Sequence, residues 1–315
     1  MKCALIIGSH GQDGSYLYES LVRRGYRVLG LDVNAVRASF SDPPLPVNIQ
    51  NPAAIAGLIR EIDPDEVYYL AAFHHSAEDA FTNDIALFHT SFSVHVTALI
   101  HVLEALKQHA PQARLFYAAS SHIFGASATA PQDESTPIAP TCVYGITKAA
   151  GLHVCRFYRQ QHGLYTSVGI LYNHESYRRS IKFVSRKIVS AAIAIKNGTQ
   201  HQLVLGDLAA QIDWGYAPDY VEAMWLMLQQ PVPADFVVAS GTLHPVLDFV
   251  EGVFRELGLD WKKYVVEDAQ VVRKQAKRNL QGNAARLQAA TGWHPVTSFT
   301  QMIKCMVQEG LASHA

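Results

Sequence analysis

The stretch CALIIGSHGQDGSYLYESLVRRG, residues 3–25, constrains the fold more than any other part of the chain. A short apolar run is followed by Gly8, Gly11 and Gly14, and then by an amphipathic segment that Gly25 stops. An apolar run of that length bounded by glycine reads as a buried strand, and the amphipathic segment as a helix. A backbone that turns tightly between the two approaches a pyrophosphate closely, and the first helical turn offers it unpaired N–H groups. A glycine triplet alone is a weak signal; placed between a strand and a helix, Gly8, Gly11 and Gly14 become candidate dinucleotide-binding residues.

The pattern then repeats. YRVLGLD, EVYYLAA, ARLFYAAS and YTSVGILY read as strands. PAAIAGLIREI, FHTSFSVHVTALIHVLEALKQ and YGITKAAGLHVCRFYRQQHG read as the helices between them. Alternation of this kind predicts an α/β protein: a Rossmann-type doubly wound parallel sheet with helices on both faces. Beyond residue 173 the pattern loosens, and a smaller mixed α/β substrate-binding lobe is expected there. The expected division is 1–172 for the cofactor-binding domain, with part of 201–238 returning to it, and 173–315 for an interleaved lobe. A chain of 315 residues with 49% hydrophobic content accommodates both cores.

A net charge of −1 at pH 7 argues against a nucleic-acid partner or a polybasic membrane surface. Cys3, Cys142, Cys155 and Cys305 show neither disulfide nor metal-ligand spacing, which suits the cytoplasm, and no metal site is expected. The apolar run at the start is too short for a signal peptide, and no run reads as long enough to span a bilayer.

Asp32 ends the second strand, twenty-four residues after Gly8. A carboxylate there accepts hydrogen bonds from an adenosine ribose 2′-OH and repels a 2′-phosphate, so the expected cofactor is NAD. Arg37 lies close enough in sequence to bear on that choice. Tyr144 and Lys148 stand four residues apart on one helix face. A neighbouring ammonium lowers a tyrosine's pKa, and Ser120 at the end of the fourth strand is placed to hydrogen-bond the same substrate hydroxyl. Ser120, Tyr144 and Lys148 are therefore candidate catalytic residues for oxidation of an alcohol or sugar.

With these motifs in place the chain resembles the extended short-chain dehydrogenase/reductase superfamily, and within it the GDP-mannose 4,6-dehydratases. The stretches that carry the likeness are GSHGQDGSYL, YYLAA, YGITK, GILYNHESYRRSIKFVSRKI, LGDL and DWGYAPDYVEAMWLMLQQP, and it runs on to GWHPVTSF. The resemblance implies a GDP-linked nucleotide-sugar substrate, with Asn173 and Lys187 near the nucleotide-sugar and Arg273 near its diphosphate. It also implies a homodimer, or a dimer of dimers, paired through the helices around 88–108 and 144–161.

Four departures from the family's pattern stand out. Ser120-Ser121-His122 replaces a Thr-Ser-Glu run, so an imidazole stands where a carboxylate would remove the sugar's C5 proton. Val33 and Asn34 replace paired arginines suited to NADP. Ile212 precedes Asp213 where an arginine is usual. His74 and His75 occupy the stretch after the third strand, as a metal or substrate contact or as a solvated loop. An imidazole suits proton shuttling near neutrality, so His122 fits the C5 base of a dehydratase. The alternatives are a C4 epimerase or oxidoreductase without the elimination step, a binding protein without turnover, and a histidine that merely packs.

Overall fold

The structure is a computed structural model that describes residues 1–32, 47–73, 83–127, 129–268 and 280–313. Strand β1 (Cys3–Ile7) is buried along its whole length, as a central parallel strand must be. It feeds helix α1 (Gln12–Arg23) and then β2 (Arg27–Leu31), which pairs with β1 in parallel. Helix α2 (Pro52–Ile62) starts at Asn51, whose side-chain oxygen accepts the N–H groups of Ala53 and Ala54. Strand β3 (Glu66–Tyr69) lies on the other side of β1.

A long helical rod follows: α3 (Asp84–Phe92), a π-helical turn (Ser93–Thr97) and α4 (Ala98–His109). It begins earlier than the apolar pattern suggests because the Asn83 side chain caps Ile85 and Ala86. Strand β4 (Arg114–Ser120) runs into a 3-10 turn (Ser121–Phe124), and α5 (Val143–His162) leads to β5 (Tyr165–Leu171).

The chain then builds the second lobe with β6 (Asn173–Glu175), α6 (Val184–Lys196), β7 (Leu203–Leu205) and β8 (Gln211–Tyr216). It returns to the large sheet through α7 (Ala217–Gln229) and β9 (Asp235–Val238). It ends with β10 (Leu243–Pro245), α8 (Val246–Glu256), β11 (Val265–Glu267), α9 (Ala285–Thr291) and α10 (Phe299–Ala312).

The large sheet has the order β2-β1-β3-β4-β5-β9, with every pairing parallel. The doubly wound sheet expected from the alternation is what forms. Successive β1 side chains feed opposite faces. Leu5 and Ile7 pack with Ile59 of α2, Leu99 and Val102 of α4 and Leu152 of α5. Ala4 and Ile6 pack with Leu17 and Leu21 of α1 and Met224 of α7. A third core, around Ile188, Phe249, Val253 and Met306, holds the second lobe together. That lobe pairs β10 antiparallel and β6 parallel to β8, and β11 parallel to β7.

The connections from β1 to β2 and from β2 to β3 wind in opposite directions. The crevice at the carboxyl ends of β1 and β3 is therefore the switch point where such sheets take ligands.

One expectation needs correcting. Among the described residues the 26-residue rod Asp84–His109, with an 18-residue stretch of mean hydropathy 1.4, is long and apolar enough to cross a membrane. The sequence reading found no spanning run because His89, His95 and Thr97 interrupt the apolar residues of this helix. In the fold its inner face is taken up by the sheet: Ala98, Leu99, Val102, Leu103 and Leu106 lie in the first core.

Candidate active site

A cavity of about 1630 Å³ opens at the switch point and runs from the glycine loop to the second lobe. Gly8, Gly11, Gly14 and Asp32 line one end. A Cβ on Gly14 would fall 2.2 Å from the Gly8 carbonyl oxygen, and one on Gly8 would fall 2.7 Å from the Ala71 nitrogen at the end of β3. Only glycines let the loop close this tightly. The cap residue Gly11 has no side chain to satisfy the first turn of α1, so those N–H groups are available to an anion. Asp32 accepts the His10 N–H at 2.9 Å, which fixes its carboxylate beside the loop.

The catalytic candidates share the opposite wall. Ser120, at the end of β4, hydrogen-bonds the Tyr144 hydroxyl, and its own oxygen accepts the His122 N–H at 3.3 Å. His122 sits on the 3-10 turn with its ring edge-on to Tyr144, centroids 5.7 Å apart. Lys148, one turn along α5 from Tyr144, is fully buried and donates to the Ala118 carbonyl at 2.7 Å. Ser120, His122, Tyr144 and Lys148 all line the cavity.

The electrostatics differ from the simple lysine–tyrosine expectation. Burial pushes the Tyr144 hydroxyl up to about 12, and the first cation opposing it is Arg179; the Ser120 hydrogen bond helps. Burial lowers Lys148 to about 7, with the Asp13 carboxylate pulling it back upward. A lysine that is only about half protonated near pH 7 is a weakened source of positive potential, and Arg179 is the cation that acts first on Tyr144 in the free chain.

Arg179 belongs to a group the sequence reading did not single out. The α1 residues Gln12 and Asp13 tie the glycine loop to β6. Gln12 donates to the His174 carbonyl at 3.0 Å and accepts from Ser176 at 2.8 Å. His174 places Nε2 within 2.9 and 3.0 Å of the two Asp13 oxygens, and donates through Nδ1 to the Tyr172 carbonyl at 2.7 Å. Burial opposes ionisation of Asp13, but the charge and hydrogen bond of His174, then Arg179, hold its carboxyl below the usual range. Asp13, His174 and Arg179 all line the cavity. The signal was legible in GQDG and NHESYRR, two stretches with charged or amide side chains at strand–helix junctions.

His95, buried in the π-helical turn, was missed as well. Its Nε2 accepts the Phe73 N–H at 2.9 Å, so the ring proton sits on Nδ1, which donates to Thr147 at 2.8 Å. The ring also stands edge-on to Tyr144 at 5.4 Å. A π-turn in a long helix commonly marks a functional position, and this one braces the catalytic helix.

Of the substrate candidates, Asn173 lines the cavity at the start of β6. Lys187 does not stand among the described residues of that wall; Lys182, Val184 and Arg186 do. Ile212 packs partly buried against the second-lobe core. Val33, Asn34, Arg37, His74, His75 and Arg273 lie outside the described residues. Among the described residues no group of three or more His, Cys, Asp or Glu could hold a metal ion.

Comparison with known proteins agrees with this arrangement. RMD from Pseudomonas aeruginosa, solved with NADPH, matches at TM-score 0.86 and 22% identity, covering 99% of this chain and 100% of that one. UDP-glucose 4-epimerase from Thermus thermophilus, solved with NAD, matches at TM-score 0.83 and 21% identity, covering 99% of each chain. At such identities the two likenesses speak for the fold. The sequence goes further: GDP-mannose 4,6 dehydratase 2 of Arabidopsis thaliana is 40% identical over 330 residues, covering 98% of this chain and 87% of that protein. The family model for GDP-mannose 4,6 dehydratase matches residues 5–306. The chain belongs to the GDP-mannose 4,6-dehydratase family.

Proposed function

We propose that the protein is an NAD-dependent GDP-mannose 4,6-dehydratase in which His122 is the C5 base. The observation that carries this reading is the convergence of Ser120, His122, Tyr144 and Lys148 on one wall of the cavity whose other end is the glycine loop. The loop fits a dinucleotide, because glycines at 8 and 14 let it close tightly against β3 and α1 and the first turn of α1 lines the cavity beside it. Asp32 beside the loop favours a free ribose 2′-OH over a 2′-phosphate.

When bound, the nicotinamide supplies a place for a hydride taken from C4 of the sugar and later returned to C6. The protein's own groups handle the protons. Ser120 and Tyr144 bracket the C4 hydroxyl, and Tyr144 takes its proton as the C4–H bond breaks. The C4 ketone acidifies the C5 hydrogen, which His122 removes. The imidazolium so formed delivers a proton to the C6 oxygen, which leaves as water; once C6 has its hydride, C5 takes a proton from solvent, and Tyr144 releases the one it holds to solvent. Arg179 favours the phenolate that holds the first proton. The basic side chains of Lys182 and Arg186 at the far end of the cavity suit a nucleoside diphosphate.

We propose further that two copies pair through α3 and α5, where Ile85, Phe88, Phe92 and Phe157 are exposed. The four free cysteines suit a cytoplasmic setting.

The test is to incubate the protein with GDP-mannose and either NAD or NADP and to read the product by mass. Loss of one water, with NAD bound more tightly than NADP, is expected. A product of unchanged mass, or one lighter by two hydrogens, replaces the dehydratase reading with an epimerase or a dehydrogenase.

A further inference from the structure

His122 has a partner that the reaction scheme does not use. Cys142 caps the N-terminus of α5, and its Sγ accepts the Gly145 N–H at 3.4 Å. The same sulfur lies 3.6 Å from Nδ1 of His122. Cys142 does not stand among the described residues that line the cavity, whereas His122 does. The thiol therefore stands outside the cavity wall that His122 helps to form.

We propose that Cys142 is a positioning residue for His122: its sulfur accepts the Nδ1–H and so leaves the proton-accepting lone pair on Nε2. The proposal rests on the reading of His122 as the C5 base and specifies how that base is kept in its working tautomer.

Three observations carry it. A backbone N–H can only donate, so the sulfur is already an acceptor toward Gly145. It sits at the positive end of a 20-residue helix, which favours electron density on the sulfur, and a thiol is in any case a weak donor. The ring is also held by Tyr144, to which it stands edge-on at 87° with centroids 5.7 Å apart. A neutral imidazole has one N–H. With that proton on Nδ1 the ring accepts the C5 proton at Nε2, becomes an imidazolium, and returns to neutral when the C6 oxygen takes the proton and leaves as water. The sulfur keeps its own proton throughout. With the opposite arrangement, S–H to Nδ1, the ring proton would sit on Nε2 and no base would face the sugar.

The experiment compares Cys142→Ala and Cys142→Ser with the wild type in deuterated buffer. It follows reduction of bound NAD on mixing with GDP-mannose and, separately, exchange of the C5 hydrogen. Cys142→Ala is expected to slow C5 exchange about tenfold, the loss of one ordinary hydrogen bond, while NAD reduction keeps its rate. Cys142→Ser, whose hydroxyl accepts both N–H groups, is expected to restore exchange. Wild-type exchange in Cys142→Ala, or no recovery in Cys142→Ser, overturns the positioning role and leaves the dehydratase reading standing. A wild type that reduces NAD yet never exchanges C5 removes both. Nitrogen-15 NMR of the histidine rings in the unsubstituted protein gives an independent readout that requires no variant to fold. A neutral His122 ring with its proton on Nδ1 is expected, and a proton on Nε2 overturns the proposal.

Discussion

Arg179 shows how much of the site's chemistry depends on single charges. Burial holds the Tyr144 hydroxyl at about 12, and Arg179 is the first group acting against it. Replacing Arg179 with methionine should raise that value further, so a smaller fraction of the phenol ionises at any given pH. Reduction of bound NAD should slow by about tenfold, and its rise with pH should move to the alkaline side. An unmoved profile would show that Arg179 does not act on Tyr144.

Lys148 offers a test with the sign fixed by linkage. Its folded value is lowered to about 7, whereas an unfolded lysine titrates near about 10.4. Between the two the unfolded chain carries a proton that the folded chain has released, so wild-type stability rises with pH across that window. Lys148→Met lacks this contribution. Its stability relative to wild type should therefore fall by roughly 2–4 kcal/mol between about pH 6.5 and about pH 9.5. Urea unfolding at both pH values reads the difference, and a constant gap contradicts the lowered lysine.

The rod from α3 to α4 shows what an element adds beyond its residues. The π-helical turn places His95 so that it joins the end of β3, through Phe73, to the catalytic helix, through Thr147. His95→Leu removes the acceptor of the Phe73 N–H and a donor to Thr147, which keeps its bonds to the Val143 and Tyr144 carbonyls. It should cost about 1–3 kcal/mol of stability, for two ordinary hydrogen bonds lost, and lower turnover through the loosened Tyr144. Denaturant unfolding with steady-state kinetics checks both, and a stable, fully active variant would sink the bracing role. Nothing in SFSVHVT could have announced this turn, because α- and π-helical turns draw on the same residue types. Strands β7, β10 and β11 were invisible for a different reason: three residues are too few to display a period of two. The strands and helices of the large sheet were legible because each runs long enough for its apolar pattern to be unambiguous.

At the scale of the whole molecule, the exposed apolar residues of α3 and α5 form the surface we assign to a two-fold interface. Phe157 is 53% exposed, and a symmetric contact buries it twice. Phe157→Glu should raise the dimer dissociation constant by at least about tenfold, given about 1.5–3 kcal/mol for a buried phenylalanine. Light scattering across a dilution series reads it, and a wild type that is monomeric at micromolar concentration contradicts the interface.

The same scale explains what the sequence could reveal of the site. Gly8, Gly14, Ser120, Tyr144 and Lys148 were legible because each sits at a fixed offset within its own strand–loop–helix unit. Cys142 beside His122, Asp13 against His174 and Arg179 beside Tyr144 were not, because each pair joins segments 20 or more residues apart. Lys187 was named by likeness alone, and on the α6 side the cavity wall is drawn from Lys182, Val184 and Arg186.

The central claim is that an imidazole does the work of the C5 base, and His122→Ala tests it most directly. In a single turnover with GDP-mannose, Ser120, Tyr144 and Lys148 remain in place, so bound NAD should still be reduced. The reduced form should then accumulate, because elimination is blocked. Exchange of the C5 hydrogen with solvent deuterium should fall by about 10²–10⁴-fold. If His122→Ala exchanges C5 and releases the dehydrated product at the wild-type rate, His122 is not the base and the account is wrong at its centre.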